Sequence, residues 1–280
     1  MLIIRSVSEM QRMALALRAN GKRLGCVPTM GYLHAGHLSL VKLARERDNV
    51  VIVTLFVNPT QFGPQEDLAK YPRDFERDAA LCREAMVDIL FAPEAADMYP
   101  DDASIFVTED NLSRGLCGAS RPGHFRGVCT VVAKLLNICQ PDVAVFGAKD
   151  AQQLRVIRRL VRDLNIPVEI VTGPTIREAD GLAMSSRNVY LSADERQQAL
   201  VLKRALDEAA RLFGAGERAA APLKAAMEKI IATAPAAKID YVAIVDDETL
   251  APVERLEKPV LIALAVFIGK TRLIDNVVLR

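Results

Sequence analysis

Residues 27–40 read VPTMGYLHAGHLSL, and the order of textures around them decides the fold. An apolar run, Leu24–Val27, comes before the turn and an amphipathic one, Leu38 to Arg47, comes after it. Between them lie glycine and two of the chain's three histidines, His34 and His37. A strand, a glycine-bearing turn and a helix start, in that order, make a place where phosphates sit. The helix start offers unpaired N–H groups and roughly half a positive charge. Gly36 lets the backbone pass close to a ligand. Imidazoles in the first turn can donate to phosphate oxygens, and a neighbouring phosphate favours their charged form. The HxxH spacing alone also fits capping or surface histidines, or a metal pair. Its strand–turn–helix setting favours phosphate, and metal ligation ranks last because the remaining histidine, His124, lies in a distant loop.

The same alternation extends outward. Apolar runs occupy 24–27, 50–57, 87–92, 104–107, 142–146 and 168–172, and helical spacing of apolar residues occupies 37–48, 74–86, 127–140 and 150–164. In the last of these, Leu154, Ile157, Leu160, Val161 and Leu164 form one face. Strands alternating with helices predict an α/β fold, a Rossmann-like parallel sheet with helices on both faces. From about residue 176 the texture changes. A polar stretch, READGLAMSSRNVYLS, leads into alanine-rich helical regions at Ala193–Phe213 and around Ala219–Ile231. Three strand-like runs follow, IDYVAIVD, VLIALAVFI and TRLIDNVVL. These predict a smaller C-terminal α+β domain with an antiparallel sheet, so the expected domains are 1–175 and 176–280, with a hinge near Gly173–Pro174.

Composition bounds the partners. The chain has 280 residues, 51% apolar and 25% charged, which suits a soluble globular protein. Its net charge of +1 gives no electrostatic case for nucleic acid or an anionic membrane. Five scattered cysteines without a CxxC pair predict reduced thiols in a cytoplasmic protein. The start, MLIIRSVSEMQRM, reads as a capping box of Ser6 and Glu9, not a signal peptide. The run Val260–Ile268 is far short of a membrane span and reads as a buried strand.

Ligands in parallel sheets bind at the carboxyl ends of strands, and there the conspicuous polar residues converge. After the first run come Pro28, Thr29, Met30, His34, Gly36 and His37; after the second, Asn58, Thr60 and Gln61. The run at 142–146 leads to Gly147, Lys149, Asp150 and Gln153, and that at 168–172 to Thr175 and then Met184, Ser185, Ser186 and Arg187. Lys149 suits a phosphate and Asp150 a ribose, although Asp150 could equally cap the next helix. Ser185, Ser186 and Arg187 suit polyphosphate, or form an N-cap and a loop ion pair. Asn58 and Gln61 offer neutral amides for a hydroxy acid, or belong to an Asn-Pro turn. RPGHFRG, 121–127, is either a lid over the site or an ordinary exposed loop. No Walker loop, GxGxxG or Ser-His-Asp set is present.

VPTMGYLHAGHLSL, FVNPTQFGPQEDLAKYPR, RPGHFRGVCTVVAKLLNICQPDVAVFGAKDAQQL and IREADGLAMSSRN together resemble the pantothenate synthetase (pantoate–β-alanine ligase) family, densely over residues 24–191. HxGH and MSSR alone are shared with the wider nucleotidyltransferase superfamily. The resemblance implies an ATP-dependent ligase that joins (R)-pantoate to β-alanine through a pantoyl adenylate, releasing AMP and pyrophosphate. It implies His34, His37 and Lys149 as catalytic residues. Met30, Gly36, Gly147, Asp150, Ile176, Met184, Ser185, Ser186 and Arg187 would join them around ATP, with Gly147 and Asp150 on the ribose. Gln61, Gln153, Pro28 and Thr29 would hold pantoate. The resemblance further implies Mg2+ bridging phosphate oxygens, and a homodimer in which the C-terminal domain closes over the nucleotide. Two positions depart from the pattern. Ala148 stands where Glu or Gln is common, and Arg77 stands where an acidic residue often precedes Asp78, so no residue is assigned to the metal. The rival readings are a nucleotidyltransferase on the same scaffold, an aminoacyl-tRNA synthetase, or a non-catalytic nucleotide-binding regulator.

Overall fold

Among the residues that the computed structural model describes, 1–64 and 66–280, six short runs pair into one parallel sheet. They are β1 Leu2–Ile4, β2 Leu24–Thr29, β3 Val50–Leu55, β4 Ile89–Phe91, β5 Val143–Gly147 and β6 Glu169–Gly173. Their order is β1-β4-β3-β2-β5-β6, with every pair parallel. Three more strands, β7 Ala237–Asp246, β8 Val260–Ile268 and β9 Thr271–Leu279, form an antiparallel sheet. The helices are α1 Val7–Ala19, α2 Ala35–Arg45, α3 Phe75–Glu84, α4 Ala95–Met98, α5 Cys117–Ser120 and α6 His124–Cys139. They continue with α7 Ala151–Asp163, α8 Ala193–Ala199, α9 Val201–Gly214 and α10 Ala220–Ile231. Both parts of the expected fold class are present.

The chain divides into two units: Met1–Asp110, Arg121–Ala148 and Gln153–Pro174 form one, and Asn111–Ser120, Lys149–Gln152 and Thr175–Arg280 the other. In the first, the inner strands β2, β3, β4 and β5 are largely apolar on both faces because both are covered. Val27, Val51, Val53, Val143 and Val145 are fully buried on the face covered by Leu40, Val41 and Ala44 of α2 and Ala79 and Cys82 of α3. Cys26, equally buried on β2, meets Cys139 at the end of α6 on the other face. Each large apolar side chain so buried contributes about 1.5–3 kcal/mol. The strand order reverses between β2 and β5, and at such a switch point the connections diverge and leave a crevice beyond the strand ends.

In the second unit β8 is apolar along nearly its whole length and needs cover on both faces. Val260, Ile262, Leu264, Val266 and Ile268 pack on α9 and α10, through Leu202, Leu206, Leu223 and Met227 among others. Leu261 and Ala263 point the other way, onto Leu116 and Ala151. That contact is why residues 111–120 and 149–152 belong with the C-terminal part, although the sequence reading assigns them to 1–175.

Three local expectations differ from what forms. Residues 104–107 are not a strand: Ile105 is 83% exposed. The outer edge of β4 is taken by β1, to which the sequence reading assigns no strand. RPGHFRG is a loop only in part: Pro122 and Gly123 are exposed, and α6 begins at His124, which is buried. The helical region Ala193–Phe213 is two helices, broken at Leu200. At the N-terminus Ser6 caps α1 by accepting from the Glu9 N–H, as its position suggests.

Candidate active site

Beyond the end of β2 the chain makes a tight turn into α2. Thr29 Oγ1 donates to the Thr54 carbonyl (2.7 Å) and accepts from the Gly31 N–H (3.3 Å), so this hydroxyl stitches β2 to β3. Gly31 and Tyr32 then take left-handed backbone, φ +87° and +51°. The two N–H groups that this conformation exposes, those of Tyr32 and Leu33, donate to the two oxygens of Asp78, each at 2.7 Å. Burial pushes the Asp78 carboxyl above the usual range, and those two N–H groups and Arg77 oppose the shift.

The turn delivers His34 as the N-cap of α2. The Gly36 N–H donates to His34 Nδ1 (3.1 Å), and the His34 N–H donates to His37 Nδ1 (3.3 Å). The two residues therefore form a reciprocal capping box built from imidazoles. A nitrogen that accepts carries no proton, so both rings hold theirs on Nε2 and donate from that edge. Their centroids lie 4.0 Å apart. The capping reading of the HxGH pair is thus the one this geometry displays.

The turn after β3 is tied as firmly. Asn58 Oδ1 accepts from Tyr99 Oη and Thr60 Oγ1, both at 2.9 Å, and from the Thr60 N–H. Its Nδ2 donates to the Gly127 carbonyl and to Gln61 Oε1, each at 3.1 Å. With Oε1 so engaged, Gln61 presents Nε2, which reaches Met30 Sδ at 3.1 Å. Asn58 and Gln61 are both buried. From below, His124 Nδ1 donates to the Gln61 carbonyl (2.9 Å), which fixes His124 Nε2 as the acceptor from Arg121 (3.0 Å). Arg121 also grips Glu66 with two bonds, at 2.7 and 2.6 Å. Burial alone would raise the Glu66 carboxyl, yet the guanidinium prevails and holds it below its ordinary value. The basic RPGHFRG stretch therefore buttresses the Gln61 turn.

Of the other candidates in this unit, Pro28 lies within β2. Gly147 ends β5, where a Cβ would meet open space, and Gln153 is half-buried on α7. The remaining candidates belong to the second unit. Lys149 Nζ lies 3.6 Å from Asp150, and the Lys149 carbonyl accepts from Asn276 Nδ2 (2.8 Å). The Met184 N–H donates to the Ile176 carbonyl (2.9 Å), closing a narrow loop. Ser185 Oγ accepts from the Arg187 N–H (3.2 Å) and caps the turn Ser186–Tyr190, in which Ser186 is buried. Asn188 anchors the turn to Glu178 (2.7 Å), and Arg196 pairs with Glu178 and Asp180.

Sequence reasoning misses Tyr99, the Arg121–Glu66 pair and the two bonds of Asp78 to the turn, whose partners come from distant segments. Gly127 did leave a signal, as an isolated glycine in a helical pattern. A Cβ there would lie 2.4 Å from the Thr60 carbonyl oxygen and 2.6 Å from Gln61 Cα.

A pantoate-beta-alanine ligase family profile matches residues 2–278. The pantothenate synthetase of Heliobacterium modesticaldum is 58% identical over 280 residues, and that of Thermotoga neapolitana 57% over 279, each covering 100% of both chains. Among solved structures, pantothenate synthetase from Thermus thermophilus superposes with a TM-score of 0.94 at 48% identity over 99% of both chains. The pantoate-beta-alanine ligase of Francisella tularensis, complexed with "Beta-gamma ATP and Beta-alanine", has a TM-score of 0.82 at 35% identity, covering 99% of this chain and 97% of that one. Matched over nearly all of its length in sequence and in fold, the chain is an enzyme of the pantoate–β-alanine ligase family.

Proposed function

We propose that the enzyme condenses (R)-pantoate with β-alanine through an enzyme-bound pantoyl adenylate, releasing pyrophosphate and then AMP. The observation that carries this reading is the reciprocal cap of His34 and His37, which sets two Nε2–H donors at the start of α2. The ATP and β-alanine of the Francisella relative support it.

In the first step a pantoate carboxylate oxygen attacks the α-phosphorus, and the bond to the bridging oxygen breaks as pyrophosphate leaves. Negative charge grows on the phosphoryl oxygens and the leaving group, so catalysis is mainly positioning and electrostatic stabilisation. His34 and His37 meet that charge from Nε2, beside Met30 and Gly36. Lys149, Ile176, Met184, Ser185, Ser186 and Arg187 are ATP ligands in this reading, and Gly147 and Asp150 hold the ribose. Each well-placed donor is worth on the order of 2.7–4 kcal/mol to the transition state. Gln61, its amide turned so that Nε2 donates, takes a pantoate oxygen, with Gln153, Pro28 and Thr29 completing that subsite. In the second step the β-alanine amine attacks the acyl carbon, AMP departs, and the amine loses its proton.

No group of three His, Cys, Asp or Glu side chains among the described residues could hold a metal, and both Asp78 oxygens accept from backbone N–H groups. In this reading Mg2+ enters with the ATP substrate, held chiefly by its phosphate oxygens and water. The reading also takes the enzyme as a cytoplasmic homodimer. Free thiols at all five cysteines support the compartment, and light scattering on a sizing column tests the dimer.

The decisive experiment is exchange of labelled pyrophosphate into ATP with Mg2+ present and β-alanine absent. Exchange that requires pantoate supports the adenylate; a folded, ATP-binding sample without exchange overturns it.

A further inference from the structure

We propose that Arg77 and Asp78 are positioning residues for the histidine pair, a clamp that sets the turn from which His34 and His37 act. The proposal rests on the reading that these histidines serve adenylate formation. The turn needs holding, because Tyr32 is a non-glycine residue in left-handed backbone directly after a left-handed Gly31. Two successive N–H groups in such a conformation converge on an anion, and the anion here is supplied by the protein. Asp78, 1% exposed, accepts from both, Oδ2 from Tyr32 and Oδ1 from Leu33.

Arg77 closes the other side. Its Nη2 donates to the Leu33 carbonyl at 2.9 Å, and its guanidinium lies over the Tyr32 ring, 4.9 Å from the centroid. The Leu33–His34 peptide is thus gripped at its oxygen by Arg77 and at its nitrogen by His37 Nδ1. Leu33 is held at N–H and C=O by adjacent residues of one helix, and the residue after it begins the imidazole cap. An acidic side chain at position 77 could not donate to that carbonyl. Arg77 therefore supplies the contact that holds the Leu33 carbonyl.

The test compares wild type, Arg77→Met, Arg77→Lys and Asp78→Asn in pantoate-dependent pyrophosphate exchange across a Mg2+ titration. Arg77 is partly exposed, so its variants are expected to fold; Asp78→Asn keeps the shape but turns one acceptor into a donor. Arg77→Met should lower the exchange kcat about tenfold, with the ATP KM and the Mg2+ concentration for half-maximal rate within about twofold of wild type. Arg77→Lys, which keeps a donor, should recover part of the loss, and Asp78→Asn should lose about a hundredfold. Ring 15N shifts of His34 and His37 should move in Arg77→Met while those of His124 stay. Wild-type kcat and ring shifts in Arg77→Met would overturn the clamp even if Asp78→Asn does not fold. A several-fold rise in the half-maximal Mg2+ concentration in Asp78→Asn would also overturn it, by making Asp78 a metal ligand. Wild type without exchange would remove the parent reading, and the clamp with it.

Discussion

A histidine that accepts a backbone N–H at Nδ1 cannot gain a proton there without losing that bond. His34 and His37 are held in this way, whereas His124 donates from Nδ1. Ring 15N spectra at neutral pH are therefore expected to show two Nε2–H tautomers and one Nδ1–H, and a charged His34–His37 pair would contradict the cap. The histidines and their helix start were legible in sequence, but their reciprocal cap was not, because it depends on ring rotamers. His34→Ala should lose about 1 kcal/mol of stability with its cap. Either His34→Ala or Lys149→Ala should slow single-turnover adenylate formation by about a hundredfold. A different residue governs stability against pH. Asp48 is 5% exposed, and burial raises its carboxyl even though Arg23 Nε pairs with Oδ1 at 3.4 Å and opposes the shift. A folded-state pKa above the unfolded value of about 3.9 means that the native state binds the proton more tightly. Stability then falls as pH rises through that window, and the penalty is complete above it. Asp48→Asn should raise the melting temperature at pH 7 by about 2 °C, with the gain fading towards pH 4.

At the scale of elements, the contact of α6 with the Pro59–Gln61 turn is the most exacting. Gly127→Ala would gain about 1 kcal/mol of helix propensity in an isolated helix. Here its Cβ would meet backbone atoms of Thr60 and Gln61, which cannot swing aside as a side chain can. The expected net outcome is a loss of about 1–3 kcal/mol in thermal unfolding, with a raised pantoate KM because the Gln61 amide moves. Helical periods of three to four residues made α2, α3, α6 and α7 legible to within about three residues at each end. Residues 104–107 and β1 misled because a strand needs a free edge, and which segment obtains it is settled by the tertiary structure. Only Ile4 of β1 is buried, so no alternation marks it.

For the whole molecule, the apolar length of β8 announced a strand covered on both faces, yet nothing in that run says which residues cover it. The site shows the same limit. Its motif residues were visible after the strands that present them, while Asn58 meets Tyr99 and Gly127 across 41 and 69 residues. The five cysteines behave as a set. All are buried, burial pushes Cys82 and Cys129 up to about 12, and the bond to Cys26 together with burial raises Cys139. An aromatic disulfide reagent at pH 8 should therefore react with almost no thiol in the native enzyme and with five after denaturation. Fast reaction of any native thiol would contradict this burial.

The switch point also sets an order of events in time. β2 meets β3 after a short connection, but its bond to Asp142 beside β5 closes a separation of 118 residues. Closing the longer loop costs more chain entropy, so β2, β3 and α2 can assemble before β5 docks. On the ribosome, the histidine turn would exist before Gly147 has been synthesised. In the proposed reading, a nascent chain would carry the histidines before the residues assigned to the ribose.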